Sequence, residues 1–341
     1  PVGSVPLPTL RFKERAWGKP LTLAACSTKL EPFINSLKTF LRPNNSSRGL
    51  AVIPFLTVLL AISGTGQVDT QGRTERIELW EKRAPLGDGD KVEETPVWIT
   101  VHHPKTPNGT AIVICPGGGY GGLVTGAEGH GIAKWLNGHD ITGVVLEYRL
   151  PKGRSQVPLL DAQRAVRTVR AHAADWKLDP AKIGIMGFSA GGHLASTAGT
   201  KFDAGVADAK DAVARVSSRP DFMILVYPVI TMGPKGHGGS RNNLLGKTQD
   251  DKLVASFSNE KQVTAKTPPA FLAHAKDDGP VPPENSRMFA DALREHKVAV
   301  EYLELPSGGH GLNGYKGPMW DAWQTQSLAW LAKMKFVPAT K

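Results

Sequence analysis

Three segments of the chain, Ala111-Ile-Val-Ile-Cys115, Gly143-Val-Val-Leu-Glu147 and Phe222-Met-Ile-Leu-Val-Tyr227, are apolar throughout instead of alternating with polar residues. A strand with one wet face alternates; a strand apolar on both faces has to be covered on both, which is the situation in a parallel sheet packed between helices. The rest of the chain supplies the parts for such a sheet. Strand-like periods fall at residues 74–80, 97–102, 111–115, 143–148, 183–187, 222–227, 270–274 and 298–305, and helix-like periods at 131–137, 159–176, 190–200, 284–296 and 320–334. Two strands in direct succession followed by regular strand–helix alternation predict an α/β fold with a mostly parallel central sheet, an antiparallel N-terminal edge and helices on both faces. Residues 201–220 and 231–269 lack strong periodicity and read as loops or small lid elements.

The formal charge of +10 raises the question of a polyanionic partner, and its distribution answers it. Residues 1–66 hold eight Lys/Arg against Glu14 and Glu31, whereas the remaining 275 residues hold 33 basic against 29 acidic side chains. A near-balanced domain behind a basic leader is a poor nucleic-acid binder, so no nucleic-acid partner is expected. Within the leader, Arg42 and Arg48 precede an apolar run at 50–62 and then the small residues Ser63, Gly64, Thr65 and Gly66. A positive flank, a short apolar core and a small-residue exit describe a secretory signal peptide. The run is too short for a membrane span, which needs ~20 residues. Pro54 and the missing polar face argue against a buried helix. We therefore expect residues 1–66 to be a leader with a signal peptide at about 48–64, residues 67–341 to be one catalytic domain, and the mature protein to be secreted or periplasmic without stable membrane insertion. Residues 1–48 open on Pro and show no clear period, and Leu23-Ala24-Ala25-Cys26 resembles a lipoprotein box without the apolar stretch that should precede it. Two cysteines, Cys26 and Cys115, allow neither a disulfide scaffold nor a thiolate zinc site.

The chemistry is concentrated around Gly187-Phe188-Ser189-Ala190-Gly191, which fits Gly-x-Ser-x-Gly between a strand-like and a helix-like segment. A tight turn there strains the serine backbone, and small neighbours at 187 and 191 let strand and helix approach. The exposed hydroxyl then sits at a helix N-terminus, where backbone N–H groups favour a developing oxyanion. A serine hydroxyl needs a base, and the base needs an orienting carboxylate. Asp277 and Asp278 follow the strand at 270–274, and His310, in Ser307-Gly-Gly-His-Gly311, follows the strand at 298–305. Asp278 is preferred as the acid because Asp278-x-x-Val281-Pro282 has the usual register of such loops. His102, His103, His172 and His274 lie in no comparable glycine-flanked loop and read as core or surface residues. For the oxyanion, one donor is expected from the N–H of Ala190 and the others from Gly118 and Gly119, in the loop Pro116-Gly-Gly-Gly-Tyr120 after an early strand, where no Cβ obstructs the substrate.

With these residues in order, the sequence resembles the α/β-hydrolase superfamily and, more narrowly, bacterial esterases related to feruloyl and acetylxylan esterases near the hormone-sensitive-lipase-like group. Besides the segments above, the resemblance rests on Glu128-Gly129, Glu147-Tyr-Arg-Leu150, residues 158–167, Gly187 to His193, Tyr227-Pro-Val229 and residues 278–286, and it spans about 75–336. Pro116 stands where lipase-like relatives carry His before three glycines. The resemblance implies serine-based hydrolysis of carboxylic esters without metal or cofactor, on a small-molecule or polysaccharide-linked ester, often acetyl or feruloyl. Tyr120, Glu128 and Phe188 are expected to wall the substrate pocket.

Other readings compete. Gly117-Gly-Gly-Tyr-Gly-Gly122 also satisfies Gly-x-Gly-x-x-Gly, and Glu147 ends the next strand where the ribose-binding acid of a dinucleotide-dependent oxidoreductase belongs. That reading leaves Ser189, Asp278 and His310 in order by coincidence. A serine peptidase or acyl-peptide hydrolase on the same fold commonly carries a propeller domain, for which 275 residues leave no room. A non-catalytic binding protein on this scaffold would not need all three positions filled.

Overall fold

The computed structural model describes residues 72–339 apart from Lys82; the expected leader, its signal peptide, the Cys26 motif and the 66/67 boundary lie outside the described residues. The strands in chain order are β1 (Thr74–Glu78), a small hairpin of β2 (Ala84–Pro85) and β3 (Val92–Glu93), β4 (Trp98–His102), β5 (Ala111–Cys115), β6 (Thr142–Glu147), β7 (Ile183–Phe188), β8 (Met223–Val226), β9 (Ala270–Ala275) and β10 (Val300–Leu305). Eight of them form one sheet in the order β1-β4-β6-β5-β7-β8-β9-β10. β4 pairs antiparallel with both β1 and β6, and every other pairing is parallel. The expected antiparallel N-terminal edge is thus present.

The helices are α1 (Gly131–Asn137), α2 (Gln156–Ala171), α3 (Ala190–Thr200), α4 (Gly238–Leu245), α5 (Asp251–Ser256), α6 (Glu284–Glu295), the kinked turn α7 (Leu312–Tyr315) and α8 (Pro318–Lys333). They cover the sheet on both faces. Ala111, Val113 and Cys115 join a core with Leu159, Val166, Leu194, Phe289 and Leu293 from α2, α3 and α6. Ile112 and Ile114 face the other way, into a core with Ile132 and Leu136 of α1 and Trp323, Trp330 and Leu331 of α8. All five β5 residues have zero exposure, which is why the run shows no alternation. Burying each isoleucine contributes about 1.5–3 kcal/mol.

The stretch at 231–269, read as loops or small lid elements, contains the short helices α4 and α5. Not foreseen in the sequence, Gly126–His130 is a single π-helical turn leading into α1. α2 also begins earlier than its apolar period, since Pro158 falls in the first turn, where its missing N–H has no intrahelical partner to lose.

Candidate active site

Five of the parallel strands deliver their carboxyl ends to one rim, and the candidate residues gather there. Ser189 stands alone between β7 and α3 with φ 53° and ψ −120°, a left-handed conformation that a serine adopts only under constraint. The constraint is visible in its backbone: the Ser189 N–H bonds Val226 O at 3.1 Å, and its carbonyl accepts the N–H groups of His193 (3.1 Å) and Val229 (3.0 Å). The flanking glycines are sterically required. A Cβ at Gly187 would stand 2.1 Å from the Gly191 carbonyl oxygen, and one at Gly191 would stand 2.1 Å from that of Cys115.

His310 Nε2 lies 2.9 Å from Ser189 Oγ, and His310 Nδ1 lies 2.7 Å from Asp278 Oδ2. The Asp278 side chain is fully buried, while 27% of the His310 side chain is exposed, so the imidazole is open to the surface and the carboxylate is not. Burial pushes the Asp278 pKa up, but bonds from His274, His310 and the Val281 N–H outweigh it and hold the carboxyl at about 2. His274, which sequence reasoning passed over, is a second imidazole on the acid. Its Nε2 donates to Val281 O at 2.9 Å and lies 3.2 Å from Asp278 Oδ2, and its Nδ1 accepts from Ser286 Oγ at 2.8 Å. The signal was there to read: His274 is the one polar residue in the buried strand Ala270–Ala275. Asp277 points elsewhere, and its carboxylate accepts the N–H groups of Gly308 (3.2 Å) and Gly309 (2.8 Å), tying down the loop that carries His310.

The glycine loop after β5 approaches the same point. Gly118 has φ +128° and Gly119 φ +64°, and among the described residues neither N–H has a protein acceptor. A Cβ at Gly118 would lie 2.3 Å from Gly122 O, so glycine is needed there for space as well as conformation. Ala190 opens α3, where the first N–H groups have no intrahelical partner. The loop is held from several sides. Tyr148 donates its hydroxyl to Pro116 O at 2.7 Å, Asn243 of α4 donates to Gly119 O at 2.9 Å, and His237, the N-cap of α4, brings its ring to 3.9 Å from where a Gly119 Cβ would be. Behind Tyr148, Arg149 makes a two-pronged ion pair with the buried Asp161 of α2, which also accepts the Trp80 indole N–H at 2.6 Å. The Glu147-Tyr-Arg-Leu150 segment and residues 158–167 therefore meet in one brace beneath the loop.

The three residues expected to wall the pocket are placed differently. Tyr120, Glu128 and Phe188 are 2%, 3% and 0% exposed. Tyr120 sits at φ 60°, which turns its ring inward so that its hydroxyl meets His193 Nδ1 at 2.8 Å. Phe188 packs between Tyr227, Trp320 and Trp323. Glu128 accepts the Gly117 N–H at 2.7 Å and the Tyr227 hydroxyl at 2.9 Å. All three support the site from behind instead of facing a substrate. The dinucleotide reading loses its structural context, because the glycine loop does not open a helix: Gly121 and Gly122 turn back onto Gly118 O, and Gly126–His130 intervenes before α1.

Comparison with known proteins adds an independent line. The BD-FAE family model matches residues 99–293. The acetylxylan esterase of Xylanibacter ruminicola is 38% identical over 244 residues, 70% of this chain and 48% of that protein. Endo-1,4-beta-xylanase B of Butyrivibrio fibrisolvens is also 38% identical, over 216 residues, 62% of this chain and 34% of that protein. The chain thus spans about a third to a half of the length of these curated relatives. Among solved structures, an acetyl ester-xyloside bifunctional hydrolase from Caldicellulosiruptor lactoaceticus superposes with a TM-score of 0.73 at 38% identity, covering 79% of this chain and 99% of that one.

Proposed function

The chain belongs to the BD-FAE family, and from that premise we propose that it is a serine carboxylic-ester hydrolase working through an acyl-enzyme on short acyl esters, acetyl or feruloyl, of plant-polysaccharide type. The observation that carries the reading is the chain of contacts from Ser189 Oγ to His310 Nε2 (2.9 Å) and from His310 Nδ1 to Asp278 (2.7 Å), set at a strained turn between strand and helix. The two relatives named for acetylxylan esterase and xylanase activity support the choice of substrate class.

In this reading Ser189 Oγ attacks the ester carbonyl carbon as its proton passes to His310 Nε2. The carbonyl electron pair moves onto oxygen, and the N–H groups of Gly118, Gly119 and Ala190 stabilise the resulting oxyanion. Collapse of the tetrahedral intermediate breaks the bond to the leaving alcohol, which takes the proton from His310. Water then repeats the sequence on the acyl-enzyme, releasing the carboxylic acid and restoring the Ser189 hydroxyl. Asp278 stays ionised throughout and keeps the Nδ1 proton facing itself, so that Nε2 remains the base.

The proposal extends to export, for which the Arg48-flanked apolar run at 50–62 is the support. Among the described residues no helix is long and apolar enough to cross a membrane. N-terminal sequencing of protein recovered from a secreting host should begin near residues 64–67; active cytoplasmic protein retaining residues 1–60 contradicts this. The main test is labelling with an organophosphate followed by peptide mapping, together with rates on p-nitrophenyl esters of increasing chain length, acetylated xylan and methyl ferulate. The adduct belongs on Ser189, and the fastest rates on the acetyl or feruloyl esters. An adduct elsewhere, or full activity after Ser189→Ala, removes the reading.

A further inference from the structure

Glu128 is a buried carboxylate beside the hydrolytic centre that none of the steps above uses. It is delivered by the π-helical turn Gly126–His130, and its surroundings are all donors. Oε2 accepts the Gly117 N–H at 2.7 Å, Oε1 accepts the Tyr227 hydroxyl at 2.9 Å, and the Tyr315 hydroxyl stands near enough to the same carboxylate to favour its charge. Each partner leads to a functional group. Gly117 runs directly into Gly118 and Gly119, and a Cβ placed on it would stand 2.6 Å from Glu128 Oε2 and 3.1 Å from Ser189 Cβ, so the carboxylate lies just behind the nucleophile. Tyr227 sets its ring edge-on against the His310 imidazole, with centroids 4.9 Å apart.

We propose that Glu128 is a positioning residue acting as an anion: one oxygen fixes the oxyanion loop, the other fixes the tyrosine that backs His310, and its negative charge favours the imidazolium formed during the reaction. The inference rests on the hydrolase reading of Ser189, His310 and Asp278. The donor set favours the ionised form, because a carboxylate offers both oxygens as acceptors to these groups, whereas a carboxylic acid gives up part of that acceptor capacity to its own proton. Burial dominates and leaves the Glu128 pKa raised; the Gly117 N–H, the Tyr227 and Tyr315 hydroxyls and the nearby His310 charge pull the other way and offset it only in part. The remaining titratable groups facing this cluster are Tyr148 on the Glu128 side and Asp278 and His237 on the His310 side.

The test is the pH profile of kcat/KM on p-nitrophenyl acetate for Glu128→Gln and Glu128→Asp. Gln keeps the shape and removes the charge. Its acid limb should move to lower pH by about half a unit to one unit, the size expected of a single charge partly screened by protein. Its plateau should fall by on the order of ten- to a hundredfold as the loop donors lose their fixed position. Asp keeps the charge on a shorter arm, so its plateau should fall similarly while its acid limb stays with the wild type. An unmoved acid limb in a folded Gln variant overturns the proposal, as does an Asp variant that shifts with Gln. If the Gln protein does not fold, Tyr227→Phe with Tyr315→Phe strips two donors while keeping the rings. The carboxylate then protonates at higher pH and the anionic form is lost sooner, so the acid limb should move up; a limb that stays put or moves down is equally fatal. Ser189→Ala measured alongside separates the two levels. Retained activity there removes the hydrolase reading itself, whereas an inactive Ser189→Ala with an unmoved Gln limb removes only the role given to Glu128.

Discussion

Asp278→Asn is the substitution that tests the site most sharply, because the surroundings leave an amide no satisfactory orientation. Asp278 Oδ1 accepts the Val281 N–H at 3.0 Å, and Oδ2 faces both His310 Nδ1 (2.7 Å) and His274 Nε2 (3.2 Å). An asparagine that keeps its oxygen on Val281 must point its NH₂ at His310. Nδ1 then has to accept, the ring proton moves to Nε2, and the base no longer has a lone pair for the Ser189 proton. The same NH₂ also meets the Nε2–H of His274, which is committed to Val281 O. The flipped amide restores the His310 bond but sets NH₂ against the Val281 N–H in a fully buried position. Either way the productive tautomer is disfavoured, and kcat should fall by about 10²–10⁴, equivalent to about 2.7–5.4 kcal/mol of barrier. Since Asp278 is held at about 2, the wild-type acid is ionised from pH 5 to 9, and raising the pH should not rescue the variant across that range. By linkage, a depressed carboxyl stabilises the fold fully above its unfolded pKa and ceases to do so as pH falls toward 2. The assay is steady-state hydrolysis of p-nitrophenyl acetate at several pH values, with Asp277→Asn as comparator. Asp277 bonds only loop amides, so its variant retains an acceptor and should lose no more than about tenfold. A wild-type rate for Asp278→Asn, or a larger loss for Asp277→Asn, refutes the assignment of the acid.

Three further outcomes follow from packing. Gly187→Ala places a methyl 2.1 Å from the Gly191 carbonyl, backbone against backbone, and should cost more than about 4 kcal/mol, read as lost soluble yield or a collapsed thermal transition. Asp161→Asn leaves the buried Arg149 with only the partly exposed Glu93 as counter-ion and should destabilise by about 1.5–3 kcal/mol in urea unfolding, with a normal transition midpoint counting against the brace. Cys115→Ala removes one buried sulfur whose thiol burial pushes well above its usual pKa; turnover should stay within severalfold of wild type at about 1–2 kcal/mol of stability, and abolished turnover in folded protein contradicts the inert role.

The strands were legible because burial on two faces leaves a mark that needs no partner information. Ala111–Cys115 coincides with its apolar run, and Ala190–Thr200 and Gly131–Asn137 coincide with their periods. The positions of Ser189, Asp278 and His310 were legible because each sits at a strand end flanked by glycine or proline. What escaped the sequence depends on contacts between distant segments. Gly238–Leu245 begins with two glycines and carries little amphipathic signal, so nothing local announces that Asn243 grips Gly119. Tyr120 and Phe188 read as pocket residues from their place beside reactive groups, but a positive φ in one case and the inward phase of a strand in the other send both rings into the interior. His274 looked incidental and Glu128 read as a pocket wall, because a polar side chain's worth is set by what it touches.

The separation of 121 positions between Ser189 and His310 has a consequence in time. The serine turn closes once β7 and α3 form against β5 and β8, yet His310 arrives on the loop behind β10, an edge strand paired only with β9. Closing so long a stretch of chain is slow relative to local structure. A refolding molecule therefore passes through a period in which the nucleophile is finished and idle. Recovery of hydrolysis should lag behind recovery of secondary structure, and its half-time clocks the docking of a single edge strand.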